Sequence, residues 1–220
     1  MDEQLLARMR STPVLAGSLP RFDPGHADPA PGRQFAHWLG DALDDGVPEP
    51  HVMTLSTADR DGRPSARVLM LRGIDSDACA FVFASDAGSR KGHDLSANPH
   101  AALSWYWPLH GRQIRAAGSV EVLDAETARR DFLGRGEPSR VAGFTGRMSA
   151  PLAGPGAYDE ERRRATGLVA ADPGAVPAGH TVYRLRAEEM EFFQGDPDSF
   201  HVRLHYVRQG GDWRRGLLWP

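Results

Sequence analysis

The order of apolar patterns along the chain predicts an α+β fold: an antiparallel sheet that curls into a barrel, with helices at its periphery. Two observations carry this. Five strand-like runs between residues 51 and 123 follow one another through short turns, with a single helix inserted, and strand character returns between residues 181 and 218. Successive hairpins do not build a doubly wound parallel sheet, in which each pair of neighbouring strands needs a long crossover. At 220 residues the chain is long enough for one substantial core, so one domain is expected over residues 33–220, preceded by an arm over residues 1–32.

The arm is marked by Pro13, Pro20, Pro24, Pro29 and Pro31 among Gly, Ser and Asp, which disfavours regular structure from residue 11 to residue 32 and leaves the segment flexible or draped over something. Phe35, Trp38, Leu39, Ala42 and Leu43 then fall at helical spacing and predict an amphipathic helix that stops near Gly46 and Pro48. His51–Thr57 and Ala66–Arg72 read as a hairpin around Asp59–Arg63, and a turn at Gly73–Asp77 leads into a short strand, Phe81–Ala84. A helix follows from about Ser89 to Asn98-Pro99, and His100–Trp107 and Gln113–Leu123 flank the turn at Pro108–Gly111. Asp124 caps a further helix running to Leu133. A Gly-, Ser- and Pro-rich loop over residues 143–156 precedes a helical pattern at Tyr158–Val169, and Ala170–Gly179 reads as a linker. Strands are expected at Thr181–Arg186, Glu191–Phe193, His201–Arg208 and, after the turn Gly210-Gly211, Asp212–Leu218. The flank carrying Trp105 and Trp107 is expected to be costly to expose and to favour a second copy as a cover.

A formal charge of −3, from 26 basic and 29 acidic residues, gives no overall basic field for nucleic acid, so any work done by cations is local. One cysteine, Cys79, excludes an internal disulfide and a cysteine-cluster metal site, so no metal is expected and a reducing cytoplasm is favoured. No apolar run reaches membrane-spanning length. The local cations stand out at Ser89-Arg90-Lys91, where a helix starts after a strand. Unpaired N–H groups and the positive end of the helix dipole favour an anion there, and a phosphate is the natural occupant. A solvated Arg-Lys pair is the plain alternative.

Several separated motifs raise the first reading. Arg67-Val-Leu-Met-Leu-Arg72, Phe83-Ala-Ser-Asp-Ala-Gly-Ser-Arg-Lys-Gly92, Asn98-Pro99, Tyr106-Trp-Pro108, Gly111-Arg-Gln-Ile-Arg115, Glu191-Phe-Phe-Gln-Gly195 and the closing hairpin through Trp213 resemble the pyridoxine/pyridoxamine 5′-phosphate oxidase family from about Arg33 to Pro220. The resemblance implies an FMN-binding split β-barrel, antiparallel and Greek-key-like, working as a homodimer with two FMN sites at the subunit interface. By position it implies cofactor contacts from Arg67, Val68, Leu69, Met70, Leu71, Arg72, Ala84, Ser85, Arg90, Lys91, Gln113, Met148, Ser149, Phe193 and Arg203. It also implies a substrate pocket of Arg72, Asp131, Arg135, Ser139, Ser199 and His201, with His201 and Arg203 as the catalytic pair. The residue types suit these roles, since cations and a helix start can neutralise a phosphate dianion while Gln113 and Arg203 can donate to the flavin ring. On a bare strand, Gln113 and Arg203 would read as exposed polar residues and His201 as a packed or solvated imidazole.

The departures from the family pattern concentrate in the substrate pocket. Met148 replaces a usual Gln and Phe193 a usual Trp, so an aromatic face stays but the indole donor is lost, and FMN binding is expected to survive. Asp131 stands where the family has a Tyr, which sets a carboxylate beside the expected phosphate, and Ser199 stands where the family has an Arg. The expected activity is therefore an FMN-dependent oxidase that dehydrogenates a small cyclic or aromatic-like biosynthetic substrate, with oxygen as acceptor. A genuine pyridoxine/pyridoxamine 5′-phosphate oxidase and a flavin- or pyridoxal-phosphate-binding protein without turnover are the alternatives. A deazaflavin or haem partner is disfavoured by the retained Arg90, Lys91 and Gln113.

Overall fold

The computed structural model describes residues 2–145 and 148–220. Nine strands form one antiparallel sheet that curls into a half-barrel: β1 (Val52–Ala58), β2 (Pro64–Met70), β3 (Gly73–Asp75), β4 (Ala80–Asp86), β5 (His100–Trp107), β6 (Arg112–Val122), β7 (His180–Gln194), β8 (Val202–Gln209) and β9 (Asp212–Leu217). Their order is β2-β1-β5-β6-β7-β4-β3, and β8 joins β7 and carries β9. The predicted α+β class with an antiparallel sheet and peripheral helices is the one observed.

Strand β7 decides the shape. It was expected as two short strands and is one of 15 residues, pairing with β6 along one edge. On its other edge, residues 180–186 pair with β4 and residues 189–194 pair with β8. A register shift lies where β6 passes Ala117 and Gly118, at the point where β7 changes partner. Gly118 is required there, because a Cβ on it would stand 2.0 Å from the Arg186 carbonyl oxygen.

The core lies inside the curl. Helix α2 (Pro31–Asp44) lays Phe35 and Trp38 into it, with Phe35 4.7 Å from the Trp105 ring and 5.0 Å from that of Phe81, and Trp38 5.2 Å from Phe192. Trp105 and Trp107 are 0% and 2% exposed, so the expectation that they form an uncovered flank is corrected. Period-two alternation assigns them to the inner face together with Leu103, and Trp107 Nε1 donates to the Pro50 carbonyl at 3.1 Å. The exposed apolar residues of the outer face are instead Val68 and Met70 on β2 and Tyr106 on β5.

Helix α3 (Arg90–Ala97) follows β4, and α4 (Ala125–Leu133) starts at the predicted cap, where Asp124 accepts from Thr127 N at 2.8 Å. Further elements differ from expectation. The segment Gly73–Asp75 is a short strand rather than part of a turn, because it pairs with β4. A helix, α5 (Glu137–Gly143), starts with Pro138 in its first turn, where a fixed φ suits helix entry. It precedes α6 (Pro155–Ala171), which starts at Pro155, earlier than the pattern at Tyr158 indicated. The arm also contains regular structure, helix α1 (Glu3–Ser11), which Asp2 caps and which buries none of its residues. Beyond α1 the arm lies on the domain: the Phe22 ring sits 4.8 Å from Trp38, and the Tyr206 hydroxyl donates to the Asp28 carbonyl at 2.7 Å.

Candidate functional site

The β4–α3 junction is built by its serines. Ser89 caps α3 by accepting from Gly92 N at 3.4 Å, and its own hydroxyl donates to the Asp86 carbonyl at 2.6 Å. Gly92 is forced by closeness, since a Cβ there would lie 2.2 Å from the Ala87 carbonyl oxygen. Lys91 Nζ donates to Ser89 Oγ at 3.2 Å, and Ser85 Oγ lies 3.4 Å from the same oxygen. From the facing strand β2, Arg67 donates to Thr57 Oγ1 and Ser65 Oγ, each at 2.8 Å, and stands 3.8 Å from Asp94. Arg90 is exposed at the helix start.

Burial pushes the Lys91 ammonium below its usual range, and the neighbouring Arg67 charge adds to that while Asp86 opposes it. Burial likewise lowers Arg67, with Asp94 opposing and Arg90 reinforcing. Arg67 has Asp94 at 3.8 Å, whereas among the described residues Lys91 has no carboxylate within ion-pair distance and is only attracted by Asp86 from further off, so Lys91 is the less compensated of two neighbouring cations. A phosphate dianion would relieve that repulsion, and serine hydroxyls with a helix start complete its donor set. The residues present therefore fit the phosphate of a mononucleotide.

Leu69, Ala84, Ser85, Lys91, Arg135 and His180, with Met148 at the rim, line a cavity of about 110 Å³ beside this junction. Bonded to two of these lining residues, Asp131 accepts from three basic groups: Arg72 Nε at 2.9 Å, an Arg135 terminal nitrogen at 2.7 Å, and His180 Nε2 at 2.9 Å. Burial alone would raise the Asp131 carboxyl, but hydrogen bonds from His180, Arg72 and Arg135 outweigh it and hold the group well below the usual carboxylate range.

A second patch lies on the outer face of the sheet. The register sets Tyr106 opposite Gln113, Gln113 opposite Phe193, and Phe193 opposite Arg203, one continuous row across four strands. Glu191, buried on the same face, accepts from Arg203 Nε at 2.8 Å and pairs with Arg115 as well. Burial opposes ionisation of Glu191, yet its two guanidinium partners bring its carboxyl below the ordinary value. The His201 ring sits 5.0 Å from that of Phe193, and its Nδ1 accepts from Asp196 N at 3.0 Å, which assigns the proton to Nε2 in the neutral ring.

The structure thus gathers Leu69, Ala84, Ser85, Lys91, Arg135 and Met148 around one cavity, with Arg67 beside it and Arg72 and Asp131 joined to it. Gln113, Phe193, His201 and Arg203 gather elsewhere in the protomer. Val68 and Met70 point outward from β2, Leu71 packs on the core, and Ser139, Ser149 and Ser199 are exposed, the last two with φ of 71° and 66°. His180, Ser89 and Glu191 are absent from the predicted set. Glu191 was findable, since it shares the face of Phe193 inside a quoted motif, whereas nothing local singles out His180.

A curled antiparallel half-barrel that gathers basic and hydroxyl groups between β2, β4 and α3 can hold the phosphate of a mononucleotide. Residues 39–151 match the family Pyridoxamine 5′-phosphate oxidase, and residues 180–220 match Pyridoxine 5′-phosphate oxidase C-terminal dimerisation region. The chain is 38% identical over 205 residues to the pyridoxine/pyridoxamine 5′-phosphate oxidase of Paraburkholderia xenovorans (strain LB400), covering 92% of this chain and 95% of that one. PhzG from Burkholderia lata 383, solved in complex with tetrahydrophenazine-1-carboxylic acid, superposes with a TM-score of 0.84 at 29% identity, covering 93% of this chain and all (100%) of that one. A pyridoxamine 5′-phosphate oxidase-related, FMN binding protein from Nostoc punctiforme PCC 73102 shares the fold, with a TM-score of 0.68 at 20% identity, covering 91% of this chain and 100% of that one. The chain belongs to the pyridoxine/pyridoxamine 5′-phosphate oxidase family, the FMN-dependent oxidoreductases with a split β-barrel. Its cofactor is FMN. The dimerisation region supports a homodimer, and no helix among the described residues is long and apolar enough to cross a membrane.

Proposed function

We propose that this chain oxidises a pyridoxine- or pyridoxamine-type substrate with FMN as cofactor and molecular oxygen as acceptor. The observation that carries the reading is Lys91, a half-buried cation with no carboxylate at ion-pair distance among the described residues, lining a small cavity beside Ser85 and close to Arg67. It occurs in a chain that aligns with a pyridoxine/pyridoxamine 5′-phosphate oxidase over 92% of its length. That alignment reverses the order in which the sequence alone ranks the two substrates. Arg67, Ser85, Arg90 and Lys91 would hold the FMN phosphate, while Gln113 and Arg203 would donate to the ring system and Phe193 would lie near it. When bound, FMN would supply the redox chemistry, accepting a hydride while the substrate also loses a proton, so that the two electrons and two protons removed from the substrate end on oxygen as hydrogen peroxide.

Two copies are required for these groups to meet. Ser85 pairs with Thr181 near the start of β7, and Phe193 lies near its end, roughly 40 Å away along the strand contour at about 3.3 Å per residue. In a homodimer the outer-face row of one protomer would complete the cavity of its partner. Glu191 would fix the Arg203 guanidinium from behind. His201, with Nδ1 already engaged, would present an Nε2–H donor to the substrate rather than a base.

A second reading, a cyclic substrate without a phosphate, is favoured by one observation: Asp131 already occupies Arg72 and Arg135. The spectrum of purified protein tests both. Bound flavin should bleach anaerobically with pyridoxine 5′-phosphate or pyridoxamine 5′-phosphate and return in air. Bleaching only with unphosphorylated cyclic compounds would favour the second reading, and a flavin reduced by neither would leave a binding protein without turnover.

A further inference from the structure

Asp131 ties three parts of the chain together: Arg72 after β2, Arg135 after α4, and His180 at the start of β7. Two of its partners, Arg135 and His180, line the cavity that Lys91 and Ser85 also line. Asp131 and His180 are largely withdrawn from solvent, with side chains 13% and 6% exposed. Arg72 through Nε, and Arg135 through Nε and one terminal nitrogen, are already directed at a carboxylate of the chain itself. An anion entering the cavity meets guanidinium groups whose charge Asp131 already balances and lies beside that carboxylate in a partly dry site, where like charges repel. The cost grows with the charge of the newcomer, so a phosphate dianion is affected more than a carboxylate, and an uncharged group is not affected.

We propose that Asp131 is a specificity-determining residue, a resident carboxylate that competes with the anionic end of a substrate for Arg72 and Arg135 and so weakens selection for phosphate esters over less charged substrates. This rests on the reading of the cavity as the reaction site. A plain role as a staple between α4 and the sheet would predict only a loss of stability when Asp131 is changed.

The test uses FMN-saturated protein and two readouts. Inorganic phosphate binding is measured by calorimetry for the natural protein and for Asp131→Asn, with Asp131→Ser as the second variant should Asn fail to fold. Freeing two guanidinium groups should tighten phosphate about ten- to a hundredfold, the equivalent of one charged hydrogen bond. The ratio of kcat/KM for pyridoxine 5′-phosphate to that for pyridoxine should rise by a similar factor. An unchanged phosphate affinity in a folded, flavin-loaded variant overturns the proposal, whatever the substrate. If neither compound is oxidised, the functional reading fails, and calorimetry still decides the role of Asp131.

Discussion

Two cationic clusters flank one cavity, and they differ in who supplies the anion. At the β4–α3 junction, Lys91 and Arg67 repel each other; Arg67 has Asp94 at 3.8 Å, but Lys91 donates only to a hydroxyl and is attracted by Asp86 from beyond ion-pair distance, so its charge is open to a ligand. At the other cluster, Arg72 and Arg135 carry the same kind of charge but are closed by Asp131. The contrast teaches that a count of cations near a pocket does not measure its appetite for anions. What matters is whether the fold has already neutralised them.

Removing the internal anion should give the largest effect. Asp131→Ala leaves two arginines and a buried histidine facing each other, and should destabilise the apoprotein by about 3 kcal/mol, read from denaturant unfolding. At the open cluster the effect reverses: Lys91→Met should leave the apoprotein equally or slightly more stable, because a half-buried, uncompensated cation is gone. The same change should weaken FMN by about 1.5–3 kcal/mol in a titration. Equal stability losses in both variants would dissolve the distinction between the clusters.

A somewhat smaller effect is expected on the outer face, where Glu191→Gln loosens Arg203 and Arg115 without removing either. FMN binding should weaken by about 1 kcal/mol, with a shift in the bound-flavin spectrum that a stability defect alone would not produce. An unaltered spectrum and affinity would separate Arg203 from the flavin.

The two clusters should also respond to opposite ends of the pH scale. Asp131 has a folded value below its unfolded value near 4, so its contribution is full above about pH 4 and fades as pH falls below that. Unfolding between about pH 4 and pH 2 should therefore be less pH-dependent in Asp131→Asn than in the natural protein. Lys91 is depressed in the fold, so its cost is present at neutral pH and should fade as pH rises toward about 10, an effect that bound FMN should suppress. The smallest effect expected is at Cys79, 1% exposed with burial pushing its thiol up to about 12. Thiol reagents at pH 8 should leave it unmodified in the folded protein, and rapid labelling would mean that this part of the core opens.

What the sequence by itself determined is local or periodic. Period-two alternation assigned β1, β5 and β6, the 3.6-residue spacing of Phe35, Trp38 and Ala42 assigned α2, and Ser89-Arg90-Lys91 marked the start of α3. Alternation also held the correct answer for Trp105 and Trp107, but only the curl of the sheet shows which face is inside. The continuity of β7 was hidden because its two halves answer to different partners, and a strand's length is set by the neighbours that pair with it. Asp131 shows the same limit in charge: its pairing with Arg135 is local, four positions along the chain, but its contacts at 2.9 Å with Arg72 and His180 join residues 59 and 49 positions apart. Such contacts come from chain segments brought together by the sheet, so only the tertiary structure could decide them.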